Sequence, residues 1–381
     1  MVTHAQRLRE AGEAFAVATV VKIGGSTYRR PGARMLIDAK GAHYGVISGG
    51  CLEEEVAQQA LHVITQGAAA LLAFDLTDDA PLLGFGTGCN GQVQVLIEPV
   101  PATDRDDPVH LVGTCIDRRQ SGVLAQVISA PDGADLLGRK FLLLEDSTVL
   151  GDMDTHLSHP VRSVARSVLA HGHHKVEQIT TANGTVELLY EVVHPPVKLV
   201  LFGAGYDVGP VALLAKTLGW STTVVGRQAA PILAERFPMA DTHIFLMHPR
   251  DASTYVPLDQ RSAALIMNHQ YARDKTLIGA LLETPIRYIG ALGPRDRTDR
   301  IKQELCEKNP WITDDHLDRV YGPVGLDIGT ETPEEIALSA IAEIQATFHG
   351  RIGGRLRDRR GAIHEPESAL PAGACQPLSS R

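Results

Sequence analysis

The stretch KLVLFGAGYDVGPVALLAKTLGWSTTVVGR, residues 198–227, decides the fold of the second half of this chain. An apolar run, Lys198–Phe202, reads as a buried strand and enters Gly203-x-Gly205-xxx-Gly209, after which an apolar-faced helix and a second strand, Ser221–Val225, follow. That order is a nucleotide-binding βαβ unit. The first glycine permits a tight turn, the second lets backbone approach a phosphate, and the third lets helix and strand pack closely, with the helix N-terminus facing the anion. Glycine spacing alone is weak evidence, but in strand–turn–helix context it points to a phosphate-bearing ligand. The acid that would close the second strand and bind a ribose 2′-hydroxyl is absent, and Gly226-Arg227 stands there. An arginine suits a 2′-phosphate, as in NADP sites, or another anionic group, and reads equally well as a surface residue. Further along, Tyr288-Ile-Gly290-Ala-Leu-Gly293 reads as a strand ending in glycine, with Pro294-Arg295-Asp296-Arg297 opening a helix. In an open α/β sheet, ligands bind beyond the carboxyl ends of strands. Gly290, Gly293, Arg295, Arg297 and His269, which follows the apolar run ALIMN, therefore join Gly203, Gly205 and Gly209 as candidate lining residues. Thr332-Pro333-Glu334-Glu335 has the N-cap, proline and acids of a helix start.

Upstream, His194-Pro195-Pro196 interrupts any helix or central strand, which places a boundary there. Residues 1–194 contain two similar stretches, about 14–100 and 110–194. FAVATVV, then ARMLIDAKGAHYGVISGGCLEEEVAQQALHVITQG, matches VLAQVIS, then RKFLLLEDSTVLGDMDTHLSHPVRSVARSVLAHG. Both read strand, strand, turn, strand, loop, helix, with the helices stopping at Gly67 and Gly172. The expectation is a degenerate tandem repeat. Its copies differ where the first has Gly-Gly-Cys before its helix and an added segment containing GFGTGCNG, which directs attention to the first copy's loops. Residues 351–381, rich in Arg, Gly, Pro and Ser, read as a disordered tail.

A formal charge of −9 over 381 residues argues against a nucleic-acid binder, which needs a basic face. No apolar run reaches the roughly 20 residues of a membrane span, and the N-terminal segment lacks a signal-peptide core, so a cytoplasmic protein is expected. The five cysteines contain no CxxC pair, which excludes a zinc ribbon and a resident iron–sulfur cluster. A cysteine that matters here matters singly. Cys51 follows Ser48, Gly49 and Gly50 at a helix start, where amides and the helix end favour a thiolate while Glu53, Glu54 and Glu55 oppose it. Cys89 lies in a second glycine loop with Gly86, Gly88, Asn90 and Gly91. If the two loops converge, the soft sulfurs suit a molybdenum–dithiolene or sulfur-bearing ligand better than magnesium or calcium. Each cysteine taken alone also reads as a small buried apolar residue. Arg29, Arg30 and Arg34 ring a Pro31-Gly32 turn that reads as a phosphate holder or a solvated hairpin, and the His171, His173, His174 group lacks the companions of a metal site.

With these blocks in place, the chain resembles the XdhC/CoxI family. The resemblance runs in order through ATVVKIGGSTYRRPGARMLI, GVISGGCLEEEV, GTGCNG with VLIEP, VLFGAGYDVGP, RYIGALGPRDRTDRI and YGPVGLDIGTETPEEIALSAIAEI, roughly residues 15–350. Cys89-Asn90-Gly91 departs from the family's usual Cys-Gly-Gly, and Gly226-Arg227-Gln228 from its Asp-Pro-Arg. The second departure puts a bound dinucleotide in doubt more than the fold. The resemblance implies a protein that binds molybdenum cofactor, as molybdopterin or its cytosine dinucleotide. It would protect that cofactor while a cysteine desulfurase or sulfurtransferase exchanges oxo for sulfide, and pass it to an apo molybdenum hydroxylase of the xanthine-dehydrogenase or CO-dehydrogenase type.

The expectation is therefore an α/β chain: a duplicated α+β domain, residues 1–194, then a Rossmann-like parallel-sheet domain, residues 195–350, with cofactor in a crevice between them. Cys51 and Cys89 would stand near the molybdenum, with Ser48, Gly49, Gly50, Gly88 and Asn90 around them. Gly203, Gly205, Arg295 and Arg297 would hold phosphates. The rival is an NADP-dependent oxidoreductase with Arg227 on the nucleotide and Cys51 as redox centre or nucleophile. A homodimer is expected only because symmetric dimers are common.

Overall fold

The computed structural model describes residues 1–25, 27–75, 91–131, 136–153, 155–181 and 184–360. The chain divides into two compact units, the first Met1–Pro195 and the second beginning at Pro196.

In the first unit, α1 (Val2–Glu10) precedes β1 (Phe15–Gly25), β2 (Arg34–Asp38), β3 (His43–Gly45), α2 (Glu53–Gln66), β4 (Ala70–Asp75) and β5 (Gly91–Val100). After α3 (Pro108–Arg118) come β6 (Gly122–Ser129), β7 (Lys140–Leu144), β8 (Val149–Asp152), α4 (Thr155–His171), β9 (Lys175–Thr181) and β10 (Gly184–Val193). The strand orders are β3-β2-β1-β5-β4 and β8-β7-β6-β10-β9, so the second sheet repeats the first strand for strand. Helix α2 covers one face of the first sheet through Val56, Ala60 and Val63 against Ala18, Met35 and Val95. Helix α4 covers the second sheet in the same way, through Val161, Ala165 and Val168. Gly67 and Gly172 end these helices at φ 70° and 73°, a left-handed conformation that favours glycine.

The duplication extends to the buried charges. Arg34 opens β2 and Lys140 opens β7, while Glu98 and Glu191 each stand two residues before the last valine of β5 and β10. Each cation reaches the glutamate of the other copy: Arg34 pairs with Glu191 in a two-pronged contact, and Lys140 with Glu98 at 2.7 Å. The glycine turn before each cation makes room for that glutamate, since a Cβ on Gly32 would lie 2.7 Å from Glu191 Cδ and one on Gly138 2.9 Å from Glu98 Oε1. Beside these pairs, Val21, Leu96, Ile128 and Leu189, two residues from each sheet, form a small shared core. Burial alone would lower the Arg34 pKa, but the charge and hydrogen bonds of Glu191 raise it above the ordinary value.

The second unit is a six-stranded parallel sheet in the order β13-β12-β11-β14-β15-β16, built from β11 (Lys198–Phe202), β12 (Ser221–Gly226), β13 (Thr242–Phe245), β14 (Ser262–Ile266), β15 (Tyr288–Ala291) and β16 (Val320–Tyr321). Helices α5 (Val208–Thr217), α6 (Ala230–Arg236), α7 (Ala252–Tyr255), α8 (Tyr271–Leu282), α9 (Arg295–Lys308), α10 (Asp314–Leu317) and α11 (Pro333–Phe348) connect and flank the strands. Alternate residues of β11 serve opposite cores: Leu199 and Leu201 pack with α5 and α11, Val200 and Phe202 with α8 and α9. That is why the strand is apolar from Leu199 onward. The strand order reverses direction between β11 and β14, which is the ligand-binding switch point of such sheets. The expected α/β class, with a duplicated antiparallel first part and a Rossmann-like parallel second part, is what the structure has. Thr332 caps α11 in a reciprocal arrangement with Glu335. No helix among the described residues is long and apolar enough to cross a membrane.

Breaking one partner of the Arg34–Glu191 pair leaves a charge buried. Glu191→Ala is expected to destabilise by about 3–5 kcal/mol, and the double change Arg34→Met with Glu191→Leu to recover most of it, measured by urea unfolding.

Candidate functional site

The Ser48-Gly49-Gly50-Cys51 loop of the first unit is held by a residue that the sequence made a nuisance. Glu53, the first residue of α2, is buried and turns back into the loop. Its carboxylate accepts from the amides of Ile47 (3.2 Å), Ser48 (2.7 Å) and Leu52 (3.2 Å) and from the Ser48 hydroxyl. Ser48 Oγ accepts in turn from the amides of Gly50 (3.2 Å), Cys51 (3.0 Å) and Leu52 (3.1 Å). Of the amides expected to cradle an external anion, those of Ser48, Gly50 and Cys51 are thus engaged by the chain's own Ser48 and Glu53. What the arrangement does is immobilise the loop that carries Cys51, a half-buried thiol whose inner side packs with the α2 core. Burial raises the Glu53 pKa, but the hydrogen bonds from Ser48 and the neighbouring amides outweigh it and leave it below the ordinary 4.5.

Tyr28, absent from the expected site, lies over Gly49: a Cβ there would be 3.7–4.0 Å from three atoms of its ring, and the tyrosine is otherwise 72% exposed. Arg29 and Arg30 follow it, and among the described residues neither guanidinium has a partner. Arg34 is withdrawn from this group by Glu191. Gly88, Cys89 and Asn90 lie outside the described residues, and so do Gly86 and Cys375. Cys115 is fully buried, and burial first, then Glu191 and Glu145, push its thiol up to about 12. Of the described cysteines in this unit, only Cys51 is both accessible and loop-borne.

In the second unit the glycine turn is present, with different reasons for its glycines. Gly203 (φ 151°) passes the end of β14 so closely that a Cβ would come within 2.6 Å of the Met267 carbonyl oxygen. Gly205 makes way for Asp207: a Cβ would overlap Asp207 Oδ1. Nothing lies within 4 Å of a Cβ placed on Gly209, so the expected close packing of helix on strand does not account for that glycine. Asp207 Oδ2 is 3.3 Å from Nε2 of His269, a residue held at φ 57°. A non-glycine residue in that region marks local strain, which clusters at functional sites.

Arg297 is not available for a phosphate. It pairs with Asp274 Oδ2 at 2.6 Å, and Asp274, 1% exposed, also accepts from Asn268 Nδ2 at 3.1 Å. This network ties α9 to the loop before His269. Gly293 leaves room for the Arg297 stem, and Gly290 is a packing glycine whose Cβ would strike Leu265 and Val324. Arg227 and Arg295 are exposed, and their guanidiniums have no partner among the described residues. Asp207 and Asp274 went unread in the sequence because nothing in its pattern shows which way an acid turns. His171 and His174 hydrogen-bond the Ser167 carbonyl and the Val192 amide, and the described residues contain no cluster of three metal-ligating side chains.

Fold and site together define a class: a duplicated antiparallel α+β unit with one thiol on a fixed glycine loop, joined to a dinucleotide-type parallel unit. Residues 8–75 match the model described as the XdhC and CoxI family, and residues 199–344 that of the XdhC Rossmann domain. Over 342 residues the chain is 32% identical to a probable subunit of xanthine dehydrogenase from Bacillus subtilis, covering 89% of this chain and 95% of that one. It is 21% identical over 335 residues to the molybdenum cofactor insertion chaperone PaoD of Escherichia coli, covering 88% of this chain and 83% of the relative. A crystal structure titled as a xanthine dehydrogenase from Bacillus halodurans matches with a TM-score of 0.72 at 29% identity, over 92% of this chain and 96% of that one. The chain belongs to the XdhC and CoxI family.

Two changes separate structural from available groups. Asp274→Ala is expected to cost about 3 kcal/mol or more by stranding Arg297, whereas Arg295→Ala should fall within about 0.5 kcal/mol of wild type in the same urea titration. Because the Glu53 pKa is depressed on folding, its contribution is complete above pH 4.5 and disappears as pH falls through the lower folded value. The wild-type urea midpoint should therefore drop below pH 4.5 with a slope that Glu53→Gln reduces.

Proposed function

We propose that this protein is an accessory protein for a molybdenum hydroxylase of the xanthine-dehydrogenase type, taking molybdenum cofactor as cargo at the Cys51 loop and delivering it to the apo-enzyme. The observation that carries this reading is the immobilised Ser48–Cys51 loop. A carrier must hold a reactive cargo without turning it over, and a single soft sulfur on a fixed loop is a ligand rather than a catalytic constellation. The Tyr28 ring offers a flat apolar face for a planar heterocycle, and the unpaired charges of Arg29 and Arg30 would attract anionic cargo. Glu53 supports the role by fixing the Cys51 amide direction through Ser48. Held in this way, the cargo's molybdenum end would stand open to a sulfurtransferase and then to the receiving hydroxylase. The names of the Bacillus subtilis relative and of PaoD support the coarser reading, an accessory role toward a xanthine-dehydrogenase-type enzyme.

The rival, an NADP-dependent oxidoreductase that uses the Rossmann-like unit with Arg227 on the nucleotide and Cys51 as redox centre or nucleophile, requires turnover by the isolated chain. The experiment is anaerobic purification from a molybdate-replete host followed by molybdenum and pterin analysis. Wild type is expected to carry both at near-stoichiometric levels and Cys51→Ala to retain no more than about a tenth of the molybdenum, which from near-saturation needs a well over tenfold weaker Kd. Apo protein that instead oxidises NADPH would replace the carrier by the enzyme.

A further inference from the structure

Two arginines of the second unit lie at the sheet edge opposite the glycine turn, Arg287 just before β15 and Arg319 just before β16. Ligands of such sheets bind beyond the carboxyl ends of strands, so this amino edge is outside that crevice. Both guanidiniums are held by carbonyls. Arg319 donates to those of Leu282 (2.8 Å), Thr284 (2.8 Å) and Ile286 (2.9 Å), at the end of α8 and in the segment after it. Arg287 donates to the Thr347 carbonyl of α11 at 3.2 Å and lies 5.5 Å from the centre of the Phe348 ring. Neither has an acid partner among the described residues. Burial lowers the Arg319 pKa. A cavity of about 540 Å³ is lined by both arginines, by Ala346 and Thr347 of α11, and by Ile352 just after it. Small-molecule sites commonly enclose roughly 300–1,000 Å³. Tyr321 of β16 lines the cavity too, and its ring stacks on the buried Tyr288 at 4.3 Å and 21°. Glu343, an acid in the wall, is engaged, accepting from the Tyr288 hydroxyl and from the Gly325 amide at 2.9 Å. The other acid, Asp318, is exposed to solvent. Ile352 is 96% exposed, an apolar side chain that a ligand seated in the cavity would cover.

We propose that this cavity binds a small aromatic carboxylate, with its flat ring on Tyr321 and its charge on Arg287 and Arg319. Tyr321 is already fixed by its stack on Tyr288, so a planar ring would meet a preformed face. The carbonyls take three hydrogen bonds from Arg319 and one from Arg287, which leaves donors on both guanidiniums for a carboxylate. A neutral ring would forgo the two cations, and a carboxylate without a flat ring would forgo the tyrosine. This inference goes beyond the carrier reading, since it concerns the second unit and holds whether or not Cys51 binds molybdenum.

The test is calorimetric titration of the full chain with naphthoate, with its neutral amide, and with cyclohexanecarboxylate, an anion that lacks a flat ring. Naphthoate should bind with a Kd below about 1 mM and at least about tenfold more tightly than either of the others. Arg287→Gln should bring naphthoate down to the affinity of naphthamide, and Tyr321→Leu should bring it down to that of cyclohexanecarboxylate. Each readout is a ratio within one variant, so a lowered urea midpoint leaves it readable. Cys51→Ala should bind naphthoate within about twofold of wild type. A footprint that removes neither anchor locates the site. In Ile352→Cys, alkylation at the substituted position should slow at least about fivefold with naphthoate at about ten times its Kd, while Cys51 in the same sample reacts unchanged. The proposal is overturned if naphthoate binds no better than naphthamide or cyclohexanecarboxylate, or if Arg287→Gln or Tyr321→Leu leaves its preference intact. It is equally overturned if naphthoate protects Cys51 rather than position 352.

Discussion

A carboxylate withdrawn from water has to be answered from inside the protein, and that requirement arranges much of both units. Glu98, Glu191, Asp107, Glu53 and Asp274 are all buried. Asp107 caps α3 by accepting from the amides of Val109 and His110 while it pairs with Arg9 of α1. Glu98 and Glu191 are answered across the duplication by Lys140 and Arg34, which fixes one sheet's register against the other's. Asp274 is answered by Arg297 and Asn268, and so sets the loop that presents His269. Glu53 is answered by backbone amides and a serine. In every case the acid gains definite geometry for the segment it touches, and the loops beside the candidate sites are among those segments.

The same requirement sorts the cations. Arg9, Arg34, Lys140 and Arg297 belong to buried acids, and their removal is a stability question. Arg29, Arg30, Arg227 and Arg295 have no such claim on them among the described residues. Partnerless arginines scattered singly over a surface carry little information. Here Arg29 and Arg30 follow Tyr28, whose ring lies over the Cys51 loop at Gly49, and Arg227 follows β12 at the carboxyl edge of a parallel sheet. Charge left unanswered inside a fold that answers its buried acids so consistently is where ligand binding is to be sought.

Much of the architecture could be read from residue order, because strand, glycine turn and helix each leave a local mark. KLVLF, the glycines after it and the stops at Gly67 and Gly172 depend on backbone geometry that few other residues tolerate. The site was less legible, since a one-dimensional pattern shows neither the direction of a side chain nor its partner. Arg34 and Arg297 looked like phosphate ligands and are ion-paired. Glu53 looked like a repulsive neighbour of Cys51 and instead holds its loop. Gly290 sat in a strand-end motif but answers to Leu265 and Val324. Tyr28 left no signal, being an exposed aromatic in a basic turn until its contact with Gly49 is seen.

Duplication would let the proposed cargo site collect in one copy of the first unit. Two sheets that exchange ion pairs and share the core of Val21, Leu96, Ile128 and Leu189 stabilise each other irrespective of what their outer loops carry. The second copy retains the sheet, the covering helix and the glycine stop, and its pre-helix loop has no counterpart to Ser48-Gly49-Gly50-Cys51. Loops on a scaffold already stabilised elsewhere are free to trade stability for a reactive group. In the first copy that freedom is then limited again by Glu53, which makes the thiol-bearing loop rigid while leaving the thiol itself accessible. On the proposed carrier reading, a fixed thiol beside an open aromatic face would receive cargo and release it without large loop rearrangement, the ordering being complete before the ligand arrives.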